Sequence, residues 1–249
     1  MLMKKENVDV QASEEVSYDS LVRAKSLNQN REDFYLRELC SVIDEVSKRL
    51  GKKDLSVLEI GYSDGKRIKG LSEIYKDVKF VGLEVREKPV QDMKDLGYDC
   101  RLVDTEIFDE FFKDGEKFDI IFGFAILHHL NDPYKSLESI INLLNPGGVV
   151  TFIREGHPLE IFGSYILTTI LGNWQYEKNM FKMRKRKFKK LLRKFTDDYW
   201  VKYDNNGFTP CFRRLNAVYC ALKLDRVAFL NGLSLYARID SQPNGGDPL

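Results

Sequence analysis

Glu59 stands inside an apolar run, Val57-Leu58-Glu59-Ile60, that breaks at Gly61 into Tyr62-Ser63-Asp64-Gly65 before a helical pattern opens. A carboxylate in such a run is an unusual placement for a structural residue. A strand that turns through glycines into a helix brings backbone N–H groups and a helix N-terminus up to a ligand, and glycine permits close approach without a Cβ clash. The arrangement suits a nucleotide-like ligand. Two phosphate-binding patterns each fail at two positions. A G-x-G-x-x-G fingerprint starting at Gly61 would need glycine where Ser63 and Lys66 stand, and a P-loop would need glycine at Ile60 and a hydroxyl at Arg67. Further acids close later apolar runs, Glu84 after Val78 to Leu83 and Asp104 after Leu102-Val103. Taken singly they read equally well as solvated loop acids. His128 and His129 follow the run Phe118 to Phe124. An imidazole titrates near neutrality and can take a proton from a hydroxyl or amine, although one of the pair could simply cap or pack the next helix.

The elements that must position these residues alternate. Leu36, Leu39, Cys40, Ile43, Val46 and Leu50 recur at three or four residues and predict an amphipathic helix from Arg31 to Leu50, stopped at Gly51. Strand-like runs at Val57–Ile60, Val78–Leu83, Asp99–Val103, Phe118–Phe124 and Gly147–Ile153 are separated by helical patterns: Ile68, Leu71 and Ile74; Val90, Met93 and Leu96; and Pro133 to Leu144, which stops at Asn145-Pro146-Gly147-Gly148. This grammar predicts parallel βαβ units with right-handed crossovers, a doubly wound sheet with helices on both faces whose ligands sit at the carboxyl ends of the strands. After Arg154 the pattern changes to a helical stretch Leu159–Leu171, a basic helix, strands at Tyr199–Tyr203 and Leu233–Ile239, and helix from Pro210 to Asp225 between them.

With both phosphate patterns gone, E-x-G-x-x-x-G remains, and here the chain resembles the class I S-adenosylmethionine (SAM)-dependent methyltransferases, in particular those acting on small molecules, sugars and lipids. The resemblance runs from about Leu55 to Ile153 and rests on motifs in order: Glu59-Ile60-Gly61-Tyr62-Ser63-Asp64-Gly65, Glu84, Asp104, Phe118-Asp119-Ile120-Ile121-Phe122 with Leu127-His128-His129-Leu130-Asn131-Asp132-Pro133, and Leu143-Leu144-Asn145-Pro146-Gly147-Gly148. It implies a Rossmann-like, mostly parallel seven-stranded sheet and SAM as cofactor. It implies that Glu59, Gly61, Tyr62, Ser63 and Gly65 surround the amino-acid end of SAM, that Glu84 receives the ribose hydroxyls and Asp104 the adenine amino group, and that Phe124 closes the fourth strand beside the cofactor. His129, and next His128, would be the catalytic base. Ser63 departs from the glycine, alanine or cysteine usual in the middle of the glycine turn.

Composition bounds the rest. Hydrophobic residues at 43% and charged residues at 31% describe a globular chain rather than a disordered or membrane-spanning one. Leu159–Leu171 is too short and too polar to span a bilayer, and the charged, polar start lacks the apolar core of a signal peptide, so the expected location is cytoplasmic. Cys40, Cys100, Cys211 and Cys220 lie far apart, and with 3 histidines they make neither a disulfide framework nor a metal site. A net charge of +1 hides a cationic stretch from Lys182 to Lys194 set against an acidic body. That stretch reads first as a solvated helix face, with Phe188, Leu191, Leu192 and Phe195 buried. It could also touch an anionic membrane, a reading favoured by the neighbouring Ile161–Leu171 run with Trp174 and Tyr176; phosphate contact with RNA is the weaker alternative. The expected organisation is a flexible arm over residues 1–30 carrying a short helix, a SAM-binding core over 31–155, a helical lid with the basic helix over 156–198, closing strands and a helix over 199–241, and a loose tail over 242–249. The expected acceptor is a small molecule, sugar-containing or lipid-linked. The alternatives are an RNA or protein methyltransferase and a degenerate binding module, the latter supported by Ser63 alone.

Overall fold

A computed structural model of the chain describes residues 25–103, 112, 115–155, 183–204 and 232–240. The seven predicted strands are present: β1 (Ser56–Ile60), β2 (Lys79–Glu84), β3 (Asp99–Leu102), β4 (Phe118–Phe124), β5 (Leu144–Glu155), β6 (Tyr199–Asp204) and β7 (Gly232–Ile239). The described helices are α1 (Lys25–Leu50), α2 (Lys66–Ile74), α3 (Glu87–Asp95), α4 (Pro133–Ile141) and α5 (Lys185–Leu192), with a single 3-10 turn at Leu127–His129. The strands form one sheet in the order β3-β2-β1-β4-β5-β7-β6. β1 to β5 pair in parallel, and β7 runs antiparallel between β5 and β6. The strand order reverses between β1 and β4, so the crevice that binds ligands in such sheets opens at their carboxyl ends.

The period-two alternation of the strands divides the interior into two cores. Leu58 and Ile60 face one, with Leu137, Ile140 and Ile141 of α4 and Phe188, Leu191 and Leu192 of α5. Val57 faces the other, with Leu39, Ile43 and Val46 of α1, Ile68 and Leu71 of α2, and Val90 and Met93 of α3. Helices on both faces were expected from strands apolar on both sides. At the amino ends of the strands Asp119, 1% exposed, accepts from Ser56 N–H at 2.8 Å and Asn145 Nδ2 at 2.9 Å and pairs with Lys52 Nζ at 2.9 Å. This one carboxylate ties the start of β1 to the Asn-Pro-Gly-Gly segment.

Two boundaries differ from the sequence reading. α1 begins at Lys25 rather than Arg31. The polar residues before Arg31 carry no apolar stripe, but none of them is a proline or glycine that would stop a helix. β5 begins at Leu144, because the Asn-Pro-Gly-Gly segment pairs into the ladder as a bulge: Phe118 is level with Leu144 and Ile120 already with Val149. In the basic helix, α5, Phe188 is fully buried with its ring 4.6 Å from that of Tyr134, while Arg186, Lys187 and Lys190 stay exposed. No helix among the described residues is long and apolar enough to cross a membrane. The predicted short helix in the N-terminal arm, the Leu159–Leu171 and Pro210–Asp225 helices and the loose tail lie outside the described residues.

Candidate active site

β1 delivers Glu59 to the crevice. Its alternation points Glu59 to the face that carries α2, and Arg67 in the first turns of that helix meets it, Nε to Oε1 at 2.6 Å, with the two side chains 7% and 1% exposed. The Arg67 guanidinium carbon lies 5.1 Å from the centre of the Phe124 ring at the end of β4, and the centre of the Tyr35 ring of α1 lies 4.3 Å from the centre of that same ring. Glu59, Arg67, Phe124 and Tyr35 thus form one packed group at the carboxyl ends of β1 and β4.

Beyond Ile60 the chain takes left-handed backbone three times, at Gly61 (φ 68°), Ser63 (φ 59°) and Gly65 (φ 72°), before α2 begins. For serine this left-handed conformation is strained. Two bonds hold it: Ser63 N–H donates to Glu84 Oε2 at 3.0 Å, and Arg86 Nη2 donates to Ser63 Oγ at 3.3 Å. Glu84 closes β2 and is 5% exposed. Its Oε1 accepts from the N–H groups of Val85 at 3.0 Å and Arg86 at 3.3 Å. The Arg86 side chain adds Nε to Oε1 at 3.1 Å and Nη2 to Oε2 at 3.2 Å.

Gly61 has no room for a side chain, since a Cβ there would lie 2.7 Å from Ile126 Cδ1. Gly61→Val adds a β-branched side chain to a left-handed residue at the mouth of the site, so SAM affinity is expected to fall by more than about tenfold. Calorimetric titration with S-adenosylhomocysteine measures it, and unchanged affinity would remove Gly61 from the site.

The second half of the site hangs from β5. Ala125 is left-handed (φ 50°) and turns the chain out of β4 into the Leu127–His129 turn. Glu155, fully buried at the end of β5, receives that turn: Ile126 N–H donates to Oε1 at 3.0 Å, His128 N–H to Oε2 at 3.2 Å, and His128 Nδ1 lies 2.9 Å from Oε2. With a carboxylate as acceptor, Nδ1 carries the proton, and neutral His128 therefore has its lone pair on Nε2. The His129 ring stands 4.1 Å from that of His128. Burial, and secondly His128, hold His129 well below the usual imidazole range, so it is neutral at neutral pH.

The structure therefore brings Glu59, Gly61, Ser63, Gly65, Glu84, Phe124, His128 and His129 to one edge of the sheet. Tyr62 is placed differently. Its side chain is fully buried, and a Cβ on Gly82 would lie 2.6 Å from its Cδ1; only its backbone belongs to the turn. Asp104 lies outside the described residues. Arg67, Arg86 and Glu155 are site residues that the sequence reading missed. For Glu155 there was a signal, an acid closing the fifth apolar strand in the manner of Glu84. The two arginines carried none, because a basic residue near a helix start is ordinary.

This set suits SAM: two buried carboxylates at adjacent strand ends, a left-handed turn between them and an aromatic ring at the next strand. Among the described residues no group of His, Cys, Asp and Glu is arranged to hold a metal ion. The comparisons agree. Residues 29–195 match the family model described as a methyltransferase domain. Among solved structures, the plantazolicin methyltransferase BamL, in complex with a triazolic desmethylPZN analog and SAH, is similar with a TM-score of 0.62 and 15% identity, covering 96% of this chain and 99% of that one. The related BpumL in the corresponding complex gives 0.58 and 16%, again covering 96% and 99%. The CurJ carbon methyltransferase gives 0.52 and 15%, covering 75% of this chain and 49% of that one. No curated protein sequence matches the chain. Sheet order, site and family model lead to the same place: the chain belongs to the methyltransferase-domain family and is a SAM-dependent methyltransferase.

Proposed function

We propose that this enzyme methylates a hydroxyl or amine of a small-molecule acceptor, and that His128, oriented by Glu155, is the base that removes the acceptor's proton. The observation that carries the reading is the buried 2.9 Å contact between His128 Nδ1 and Glu155 Oε2, which fixes the ring and leaves Nε2 as the proton acceptor. Bound SAM supplies an electrophilic methyl group, so the protein's work is alignment, exclusion of water and proton removal. Glu59 and Arg67 would frame the amino-acid end of the cofactor and Glu84 its ribose. We place His128 in the role that the sequence gave first to His129, because Glu155 orients the His128 ring.

Transfer from labelled SAM into metabolite and lipid extracts tests the function. Hydroxyl- or amine-bearing products support it, and thiol products alone would remove the need for a base. Sugar-containing and lipid-linked acceptors belong in that screen. So do peptide-derived ones, since the plantazolicin methyltransferases are similar along the whole chain. The ribose assignment has its own test. Glu84→Ala is expected to weaken SAM binding by about 1.5–3 kcal/mol, the range for hydrogen bonds to a charged group. Titration of that variant reads the loss, and a negligible one would place the ribose elsewhere.

A further inference from the structure

Glu84 is crowded. Its carboxylate accepts from the N–H groups of Ser63, Val85 and Arg86 and, in addition, from Nε and Nη2 of Arg86, one on each oxygen. An ionised carboxylate offers about four lone-pair sites, so these donors already fill it. The three backbone donors are fixed by the turn after β1 and the end of β2. The Arg86 side chain, 22% exposed, is the donor that can leave by rotation. Its fork contributes one bond to each oxygen, and a vicinal diol asks for the same pair of positions.

We propose that Arg86 is an internal competitor for the ribose position: its guanidinium occupies on Glu84 the two acceptor sites that the cofactor's ribose hydroxyls take, so a nucleoside carrying both hydroxyls must displace it and binds less tightly than Glu84 alone would allow. The proposal rests on Glu84 being the ribose acceptor. A ligand with a complete diol replaces both bonds that Arg86 gives up. A ligand lacking the hydroxyls leaves the arginine in place and gains nothing from Glu84. Ser63 has a part in this. Its hydroxyl, which glycine would lack, gives the guanidinium a third contact at 3.3 Å and helps to hold the fork on the carboxylate. The departure from the family pattern at Ser63 thus belongs to the same device.

The test is a cycle of two proteins and two ligands by calorimetry. The ligands are S-adenosylhomocysteine and its 2′,3′-dideoxy analogue, and the proteins are the unaltered chain and Arg86→Ala, both checked for folding by thermal melting. Arg86→Ala is expected to bind S-adenosylhomocysteine about fivefold more tightly, the scale of a partly exposed ion pair, and to bind the dideoxy analogue with unchanged affinity. Equal tightening for both ligands would overturn the proposal, because Arg86 would then act by bulk or charge. Weaker or unchanged binding of S-adenosylhomocysteine would overturn it too. Glu84→Gln separates this from the underlying assignment: if that variant binds S-adenosylhomocysteine like the unaltered chain, Glu84 is not the ribose acceptor, whatever Arg86 does.

Discussion

Arg67→Gln is expected to destabilise the folded protein by about 3–5 kcal/mol, the cost of removing one partner from a buried ion pair. Glu59 is 1% exposed and cannot recover water when the guanidinium is gone. The Nε–Oε1 contact of 2.6 Å is the bond that is lost, and the packing of the guanidinium on the Phe124 ring goes with it. The double variant Glu59→Gln, Arg67→Gln removes both charges together and is expected to recover most of the loss, since two neutral amides of similar shape leave no charge behind. Urea unfolding of the two variants beside the unaltered chain measures this. A single variant within about 1 kcal/mol of the unaltered protein would show that Glu59 is accommodated without Arg67.

His128→Asn should lower kcat by about 10²–10⁴, the usual contribution of a positioned general base, with SAM affinity unchanged. Asparagine is chosen because its amide can still donate to Glu155, so the buried carboxylate keeps a partner while the proton acceptor is lost. Glu155→Gln should lower kcat less and change its pH dependence. If His128 is the base, activity of the unaltered enzyme is expected to fall on acidification, since a protonated imidazole cannot take the acceptor's proton. Without the carboxylate the protonated ring loses its counter-charge, so the fall begins at a lower pH. His129→Asn should leave that profile in place, because burial already keeps His129 neutral at neutral pH. Equal kcat losses for the His128 and His129 variants with identical pH profiles would reject the assignment.

Three of the first four strand ends were legible because each announces itself locally. Glu59 interrupts an apolar run one residue before the glycine turn, Glu84 follows Val78–Leu83, and the histidines follow a strand apolar on both faces. Right-handed crossovers were legible too, but the order 3-2-1-4-5 is seen only in the structure. The partners of those residues depend on register, which one sequence does not display. Glu155 reaches His128 because Phe124 is level with Ile153, which sets the end of β5 beside the turn that follows β4. Arg67 meets Glu59 only because α2 folds back onto the face to which Glu59 points. Tyr62 shows the opposite relation between motif and structure. It stands among the motif residues in sequence, yet Gly82 on β2 leaves a space that its ring fills, and an aromatic ring gains more from that space than from solvent.

The position of β7 between β5 and β6 also governs the order in which the sheet can be completed. β1 to β5 lie in chain order as parallel units and can assemble as the chain emerges from the ribosome. β6 follows, but among the described residues its one neighbour in the sheet is β7, which is synthesised later. Until then β5 presents an unpaired edge with Val150 and Phe152 on it, and β6 has nothing to pair with. The nascent protein therefore passes through a stage in which the β5 edge is open, the condition under which chains pair with one another instead of with themselves. A messenger cut short before Gly232 would yield a polypeptide with the whole first half of the sheet and an uncovered border, a product destined for chaperones or for inclusion bodies.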